Sequence, residues 1–175
     1  MIVATTLTGS NADIIGDALA SVLQQVDRCI VIDTGAKDDT VEVARKVAGD
    51  KLLLREFPWK NDFAAARNFA LDAATAAGAT WAVTLDTDER LLFDRDFDLA
   101  RALARTQAEV CMVVDDVGSY SKERIVRVPA GSFGSSRKRT PRRLSVSAFV
   151  RPRRHSCVGP SHRTFAGRRT MRSFE

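Results

Sequence analysis

The 175-residue chain is poor in several features, and each shortage excludes a class of protein. No run approaches the roughly 20 apolar residues that a membrane-spanning helix requires, so we expect no transmembrane segment. The N-terminus has no basic region followed by a long apolar core, which predicts no secretion signal and a cytoplasmic location. Cys29, Cys111 and Cys157 lack metal-ligand spacing, and the first two lie in apolar runs, so we expect reduced, buried thiols there.

Acidic residues are almost absent from the last quarter of the chain. Residues 129–175 carry 12 Lys or Arg and one acid, net +11, whereas residues 1–128 carry 15 Lys or Arg and 21 Asp or Glu, net −6. Arg, Ser, Pro and Gly dominate residues 129–175, and such a composition buries too little apolar surface to offset chain entropy. We therefore predict one domain over residues 1–128 and a largely disordered basic tail, in which only Leu144 to Val150 has the composition of a strand.

Two explanations of the basic tail stay open. It is either an authentic extension whose arginines touch anionic lipid weakly at the inner membrane face, or the product of a reading-frame change in a GC-rich gene; the abrupt change in composition favours the second. Few aromatic residues are interleaved with its arginines, so no nucleic-acid partner is expected.

Short apolar runs alternate with amphipathic ones over residues 1–128, the pattern of an α/β domain. Its five predicted strands are Val3 to Leu7, Cys29 to Ile32, Leu52 to Leu54, Trp81 to Leu85 and Val110 to Val114. Helices are predicted at 14–26, from Thr40 to Ala48 after a capping box of Asp39 and Glu42, from Phe63 to about Ala77 after Asp62 as cap, and near 99–105. Because the connections are helical crossovers, the sheet should be mostly parallel.

The strongest candidate site is the acidic run Asp86-Thr87-Asp88-Glu89, which follows the fourth predicted strand directly. Residues two apart in an extended segment point the same way, so Asp86 and Asp88 can converge on one hard cation. Ligand sites in open α/β sheets lie beyond the carboxyl ends of strands. A Mg²⁺ or Mn²⁺ ion is therefore predicted here, where it would bridge a diphosphate.

Further candidates are predicted at the same edge of the sheet. Asp33 ends the second strand and can either accept hydrogen bonds from a base or ribose or merely shape the following turn. Asp38 is a secondary candidate because a capping role explains it equally well. Arg67 has the planar, multidonor group that suits phosphate oxygens, and Asn68 can hydrogen-bond a ligand or a neighbouring loop.

Three motifs in this order resemble the successive motifs of family 2 glycosyltransferases, which have the GT-A fold. They are Val31-Ile32-Asp33-Thr34-Gly35-Ala36-Lys37-Asp38-Asp39-Thr40, Asp62-Phe63-Ala64-Ala65-Ala66-Arg67-Asn68 and Leu85-Asp86-Thr87-Asp88-Glu89. The resemblance covers roughly residues 1–128. It implies inverting transfer from a UDP- or GDP-sugar to an unknown acceptor, with Asp33 near the base, Asp62, Arg67 and Asn68 near the donor, and the metal at Asp86 and Asp88.

The chain also departs from that family's pattern. A Lys-Asn-Glu-like segment commonly follows the first strand, whereas this chain has Thr8-Gly9-Ser10-Asn11-Ala12-Asp13. Family members carry a carboxylate base in their second half, yet after Glu123 the only acid is Glu175. His162 is a candidate base, although Arg163 stands where the family has Glu, and the catalytic residue stays unassigned.

Two other functions compete with sugar transfer. A haloacid-dehalogenase-type phosphotransferase also places Asp-x-Asp after an apolar strand, but normally after the first strand rather than the fourth. A catalytically silent, truncated domain that binds nucleotide would keep the three motifs and need no base.

Overall fold

The computed structural model describes residues 1–115, 121–129 and 148–150. Strands and helices alternate along the first two thirds of the chain, as the hydrophobic pattern predicts. In chain order the elements are β1 (Ile2–Thr8), α1 (Ile15–Val22), β2 (Arg28–Asp33), α2 (Thr40–Ala48), β3 (Leu52–Glu56), α3 (Phe63–Ala76), β4 (Trp81–Thr84), β5 (Leu91–Phe93), α4 (Leu99–Ala104), β6 (Val110–Asp115), β7 (Ser121–Arg127) and β8 (Ala148–Val150).

The described strands form one mixed sheet in the order β3-β2-β1-β4-β7-β6-β8-β5. The neighbours from β3 to β4 are all parallel, and so is the pair β6 and β8. The pairs β4 with β7, β6 with β7, and β5 with β8 are antiparallel. This arrangement confirms the predicted α/β fold with a mostly parallel sheet and flanking helices.

Alternate residues of the central strands pack into two apolar layers, one on each face of the sheet. Along β2, Cys29 and Val31 face the layer that contains α1, α2 and α4, whereas Ile30 and Ile32 face the layer that contains α3. The continuous apolar run of this strand therefore has the predicted cause, burial on both faces. Cys29 and Cys111 are buried free thiols, as expected, and burial raises the pKa of Cys29 to about 11.

The helix boundaries follow the predicted signals with two corrections. α1 ends at Val22, four residues before the predicted end at Val26. Asp62 caps α3 through an Oδ1 that accepts the Ala65 N–H at 2.9 Å, and Gly49 ends α2 with φ +52°. Asp39 is the residue before α2, but its side chain accepts no capping hydrogen bond, so the capping-box prediction was wrong. The side chain of Asp38 bonds to the start of the helix instead: its Oδ1 accepts the Thr40 N–H at 3.1 Å.

Strands β5 and β7 were not predicted from the sequence. Four of the seven residues of β7 are charged, which hides the alternation of a strand. In the basic tail, β8 confirms the last three residues of the segment from Leu144 to Val150, while Cys157, His162 and Arg163 lie outside the described residues. Within the described part of the chain, no helix is long and apolar enough to cross a membrane.

Candidate functional site

The carboxyl ends of β1, β2 and β4 meet at one edge of the sheet. β1 pairs with β2 on one side and with β4 on the other, so the direction of chain winding reverses between β1 and β4. Ligands of open α/β sheets bind at such a switch point. Asp33 ends β2 and Asp86 follows β4, so two of the predicted site residues lie at this edge.

A tight turn over residues 86–89 follows β4. The Leu85 N–H donates to the Thr5 carbonyl at 3.0 Å, which fixes the start of the turn against β1. The Glu89 N–H donates to the Asp86 carbonyl at 3.1 Å, and the Asp86 N–H donates to Glu89 Oε2 at 3.3 Å. Asp88 lies within the turn with its side chain exposed.

Asp86 is held by two guanidinium groups. Arg67 of α3 pairs with Oδ1, and Arg124 Nη2 of β7 lies 2.7 Å from Oδ2. Burial alone would raise the pKa of Asp86, but the positive charges of Arg67 and Arg124 outweigh it, so the pKa lies below its usual value. The structure thus brings two predicted site residues, Arg67 and Asp86, into direct contact and leaves Asp86 ionised at neutral pH.

Glu89 and β7 extend this contact into a charge network that sequence reasoning missed. Glu89 is 2% exposed and pairs with Arg124 and, at 2.8 Å, with Lys122. Arg124 is itself 6% exposed, and its Nε has no hydrogen-bond partner among the described residues. Lys122 and Arg124, both on β7, contact the same Oε1 of Glu89. Three positive side chains therefore surround two carboxylates beneath the turn.

Asp33 and Asp38 both shape loops at the same edge. Asp33 Oδ1 accepts the N–H groups of Gly35 and Ala36 at 2.8 and 2.7 Å, so one oxygen of this carboxylate builds the turn after β2. Asp38 links two loops, because its Oδ2 accepts the Ala12 N–H at 3.1 Å and its Oδ1 bonds to Thr40. The hydrogen bond from the Thr40 hydroxyl is the main reason why the pKa of Asp38 is lowered.

An open pocket of about 450 Å³ lies beside Asp33. One side is formed by the end of β1 and the loop after it, residues 7–9 and Asn11, and the floor by Thr34 and Gly35 of the turn after β2. Trp59 and Phe63 complete the lining. Asp62 caps the helix that begins with Phe63, and Asn68 lies half-buried on the same helix beside Arg67.

The carboxylates of the acidic turn determine whether it can bind a metal ion. Nowhere in the described residues do three His, Cys, Asp or Glu side chains converge as a metal cluster. Both oxygens of Asp86 are taken by arginines, whereas the carboxylate of Asp88 is exposed. Mg²⁺ is commonly bound by one or two carboxylates together with substrate phosphates rather than by an all-protein cage. The residues present fit that mode of binding.

Comparison with known proteins identifies the family of the chain. The family model for glycosyl transferase family 2 matches residues 2–168, and the chain belongs to this family. The matched range includes most of the basic tail. Membership of this family removes the support for the haloacid-dehalogenase alternative.

Individual relatives are longer than this chain. A TPR repeat-containing protein of Synechococcus elongatus is 42% identical over 97 residues, which are 55% of this chain and 23% of that protein. A mannosyltransferase from Pyrobaculum calidifontis, solved with GDP-Man and Mn²⁺, superposes with a TM-score of 0.52 and 25% identity over 65% of this chain and 35% of its own. Staphylococcus aureus TarS superposes with a TM-score of 0.53 and 16% identity over 66% and 35%, which shows the shared fold. The chain thus spans about a quarter to a third of these relatives.

Proposed function

We propose that this chain binds a nucleotide diphosphate sugar and forms the donor half of a metal-assisted, inverting glycosyltransferase. The observation that carries the proposal is the turn over residues 86–89 at the switch point, with an exposed carboxylate and a guanidinium beside it. The mannosyltransferase that superposes on this chain holds GDP-Man and Mn²⁺, which supports a donor of this class and a divalent cation.

Each site residue would contact a different part of the donor. Asp33, beside the 450 Å³ pocket, has one oxygen engaged in its own turn and a second that can accept a hydrogen bond from the base or ribose. Arg67 can donate to phosphate oxygens from its position beside Asp86. Asp62 caps the helix that carries Arg67, Asn68 could donate to the donor from the same helix, and Asp38 fixes the loop after β2 against the loop after β1.

Asp88 is the residue best placed to bind the cation, with Asp86 as a second ligand only when Arg67 or Arg124 releases one of its oxygens. A Mn²⁺ or Mg²⁺ ion bound here supplies positive charge to a diphosphate leaving group. In an inverting transfer, an acceptor hydroxyl attacks the anomeric carbon opposite the diphosphate and loses its proton to a base. The base and the acceptor stay unassigned.

Calorimetry with UDP and GDP, with and without Mn²⁺, tests this proposal. We expect one nucleotide to bind only with the metal, and Asp88→Asn to weaken that binding by at least about tenfold, because the variant removes the available anionic ligand. Asp96→Asn is the matched control, since Asp96 is an exposed carboxylate that belongs to none of the three motifs, and the variant should leave the affinity unchanged. Metal-independent binding, or equal affinity in Asp88→Asn, would count against the site.

Nucleotide binding without transfer is the second candidate function. It is favoured by the scarcity of carboxylates after Glu123, where Glu175 is the only one. Release of UDP or GDP from the donor sugar, with and without simple sugar acceptors, separates the two. Binding with no release over long incubation supports the silent domain, and release that Asp88→Asn abolishes supports the transferase.

A further inference from the structure

Two large aromatic side chains stand exposed at the mouth of the pocket. Phe63 is 68% exposed, the highest value among the large hydrophobic residues in the described part of the chain, and Trp59 is 39% exposed. Their ring centroids are 4.6 Å apart at an interplanar angle of 71°. Apolar surface of this size is normally buried, so a rigid, exposed pair beside a pocket points to a ligand.

The backbone and hydrogen bonds around Trp59 hold it in place. Its N–H donates to the Thr34 carbonyl at 3.3 Å, and its indole Nε1–H donates to Asn61 Oδ1 at 2.9 Å. Asn61 has φ +57°, a conformation that a side-chain-bearing residue adopts at some cost in energy. This backbone conformation, which Asn adopts more readily than most residues, places the Asn61 amide where it meets the indole. Trp59 is therefore oriented before any ligand arrives.

The same contacts connect this pair to the floor of the pocket. The Thr34 hydroxyl donates to the Thr8 carbonyl at 2.9 Å, so the turn after β2, the end of β1 and Trp59 form one connected unit. Phe63 is fixed by its position as the first residue of α3, directly after the Asp62 cap. The pocket is thus lined by polar backbone and hydroxyl groups of Thr8 and Thr34 and by two aromatic rings that meet edge to face.

We propose that Trp59 and Phe63 form an aromatic wall, in which one ring stacks on the nucleobase of the donor and the other packs against the edge of the base, and that this wall supplies much of the affinity for the nucleoside. This inference rests on the proposed function and adds to it the residues that recognise the base. Every nucleobase presents a π-face to such a surface, so the wall contributes affinity for any base. Discrimination between bases then depends on the polar groups of the pocket.

The test compares nucleoside diphosphate with inorganic pyrophosphate, each in the presence of Mn²⁺. Removal of a stacking residue weakens binding by about 5- to 150-fold per base, so we expect Trp59→Ala and Phe63→Ala to lose affinity for UDP or GDP in this range. Both variants should bind pyrophosphate as the wild type does. Leu92→Ala is the control, because Leu92 is also 39% exposed but lies on β5.

Tryptophan fluorescence gives a second, independent readout. The chain has two tryptophans, and Trp81 is buried at 4% exposure, so a nucleotide in the pocket should quench the emission of Trp59. Trp59→Phe should abolish that quenching and keep more of the affinity than Trp59→Ala. Phe63→Ala removes a mostly exposed ring, so it tests the wall even if Trp59→Ala fails to fold.

The outcomes separate this inference from the proposed function. Nucleotide binding by the wild type that both alanine variants retain overturns the wall alone. An equal loss of affinity for nucleotide and for pyrophosphate also overturns the wall, because the substitution would then have disrupted the whole site. A wild type that binds neither UDP nor GDP overturns the proposed function and the wall together.

Discussion

Arg124 lies at the centre of the charge network beneath the 86–89 turn. Its guanidinium contacts Asp86 and Glu89 at once, and both Arg124 and Glu89 are almost fully buried. A buried ion pair adds little over a well-packed apolar pair, but removal of one partner leaves an uncompensated buried charge. The consequence of losing Arg124 should therefore be much greater than that of losing a half-exposed partner.

We predict that Arg124→Met lowers the free energy of unfolding by about 3 kcal/mol, because Asp86 and Glu89 both lose its buried positive charge and Glu89 keeps only the more exposed Lys122. Lys122→Met is the matched control: its side chain is 41% exposed, and an exposed ion pair contributes about 0–1 kcal/mol. Urea denaturation of both variants measures the difference. Equal, small losses in the two variants would show that the network is not a buried unit.

At the scale of the element, the N-cap of α3 helps to position Arg67 in the site. Asp62 accepts the Ala65 N–H, and one turn later Arg67 reaches Asp86. Loss of an N-cap side chain typically costs about 1 kcal/mol. We expect Asp62→Ala to lower the free energy of unfolding by about this amount.

Asp39 provides the control for that prediction, since it precedes α2 but accepts no capping hydrogen bond. Asp39→Ala should leave the free energy of unfolding within about 0.5 kcal/mol of the wild type. Urea denaturation distinguishes the two substitutions. If both cost the same, the hydrogen bond at Asp62 does not stabilise α3.

The elements that could be predicted from sequence are those in which local pattern and tertiary environment agree. The apolar run of β2, the stripe of α1 and the cap at Asp62 all carried their own local signal. β7 could not be predicted, because its Lys122 and Arg124 are placed by carboxylates more than 30 positions earlier in the chain. For the same reason the sequence motifs include Asp86 and Arg67 but not Arg124, the second arginine that contacts Asp86. Asp38 was distinguished from Asp39 only by geometry, since both precede the helix with acceptable capping chemistry.

At the scale of the whole molecule, the candidate site lies where β1 pairs with β2 and β4. The antiparallel strand β7, next to β4, contributes side chains that contact it. Asp86 follows the last strand of the parallel half, and its partner Arg124 comes from β7 of the antiparallel half. The ionised form of Asp86 is therefore one of the contacts that connect the two halves of the sheet. Its titration should be visible in the stability of the fold.

The last prediction concerns that pH dependence. The pKa of Asp86 is lower in the folded chain than the ordinary value of 3.8, so its contribution to stability is complete above that value and is lost as the pH falls towards the folded pKa. We expect the free energy of unfolding, measured by urea titration between about pH 3 and pH 6, to decrease more steeply with acidification in the wild type than in Asp86→Asn. The comparison concerns the slope, because Asn beside Arg67 and Arg124 lowers stability at every pH. Asp38 also has a lowered pKa and stays in the variant, so part of the slope should remain. Identical slopes in the two proteins would show that Asp86 does not connect protonation to folding.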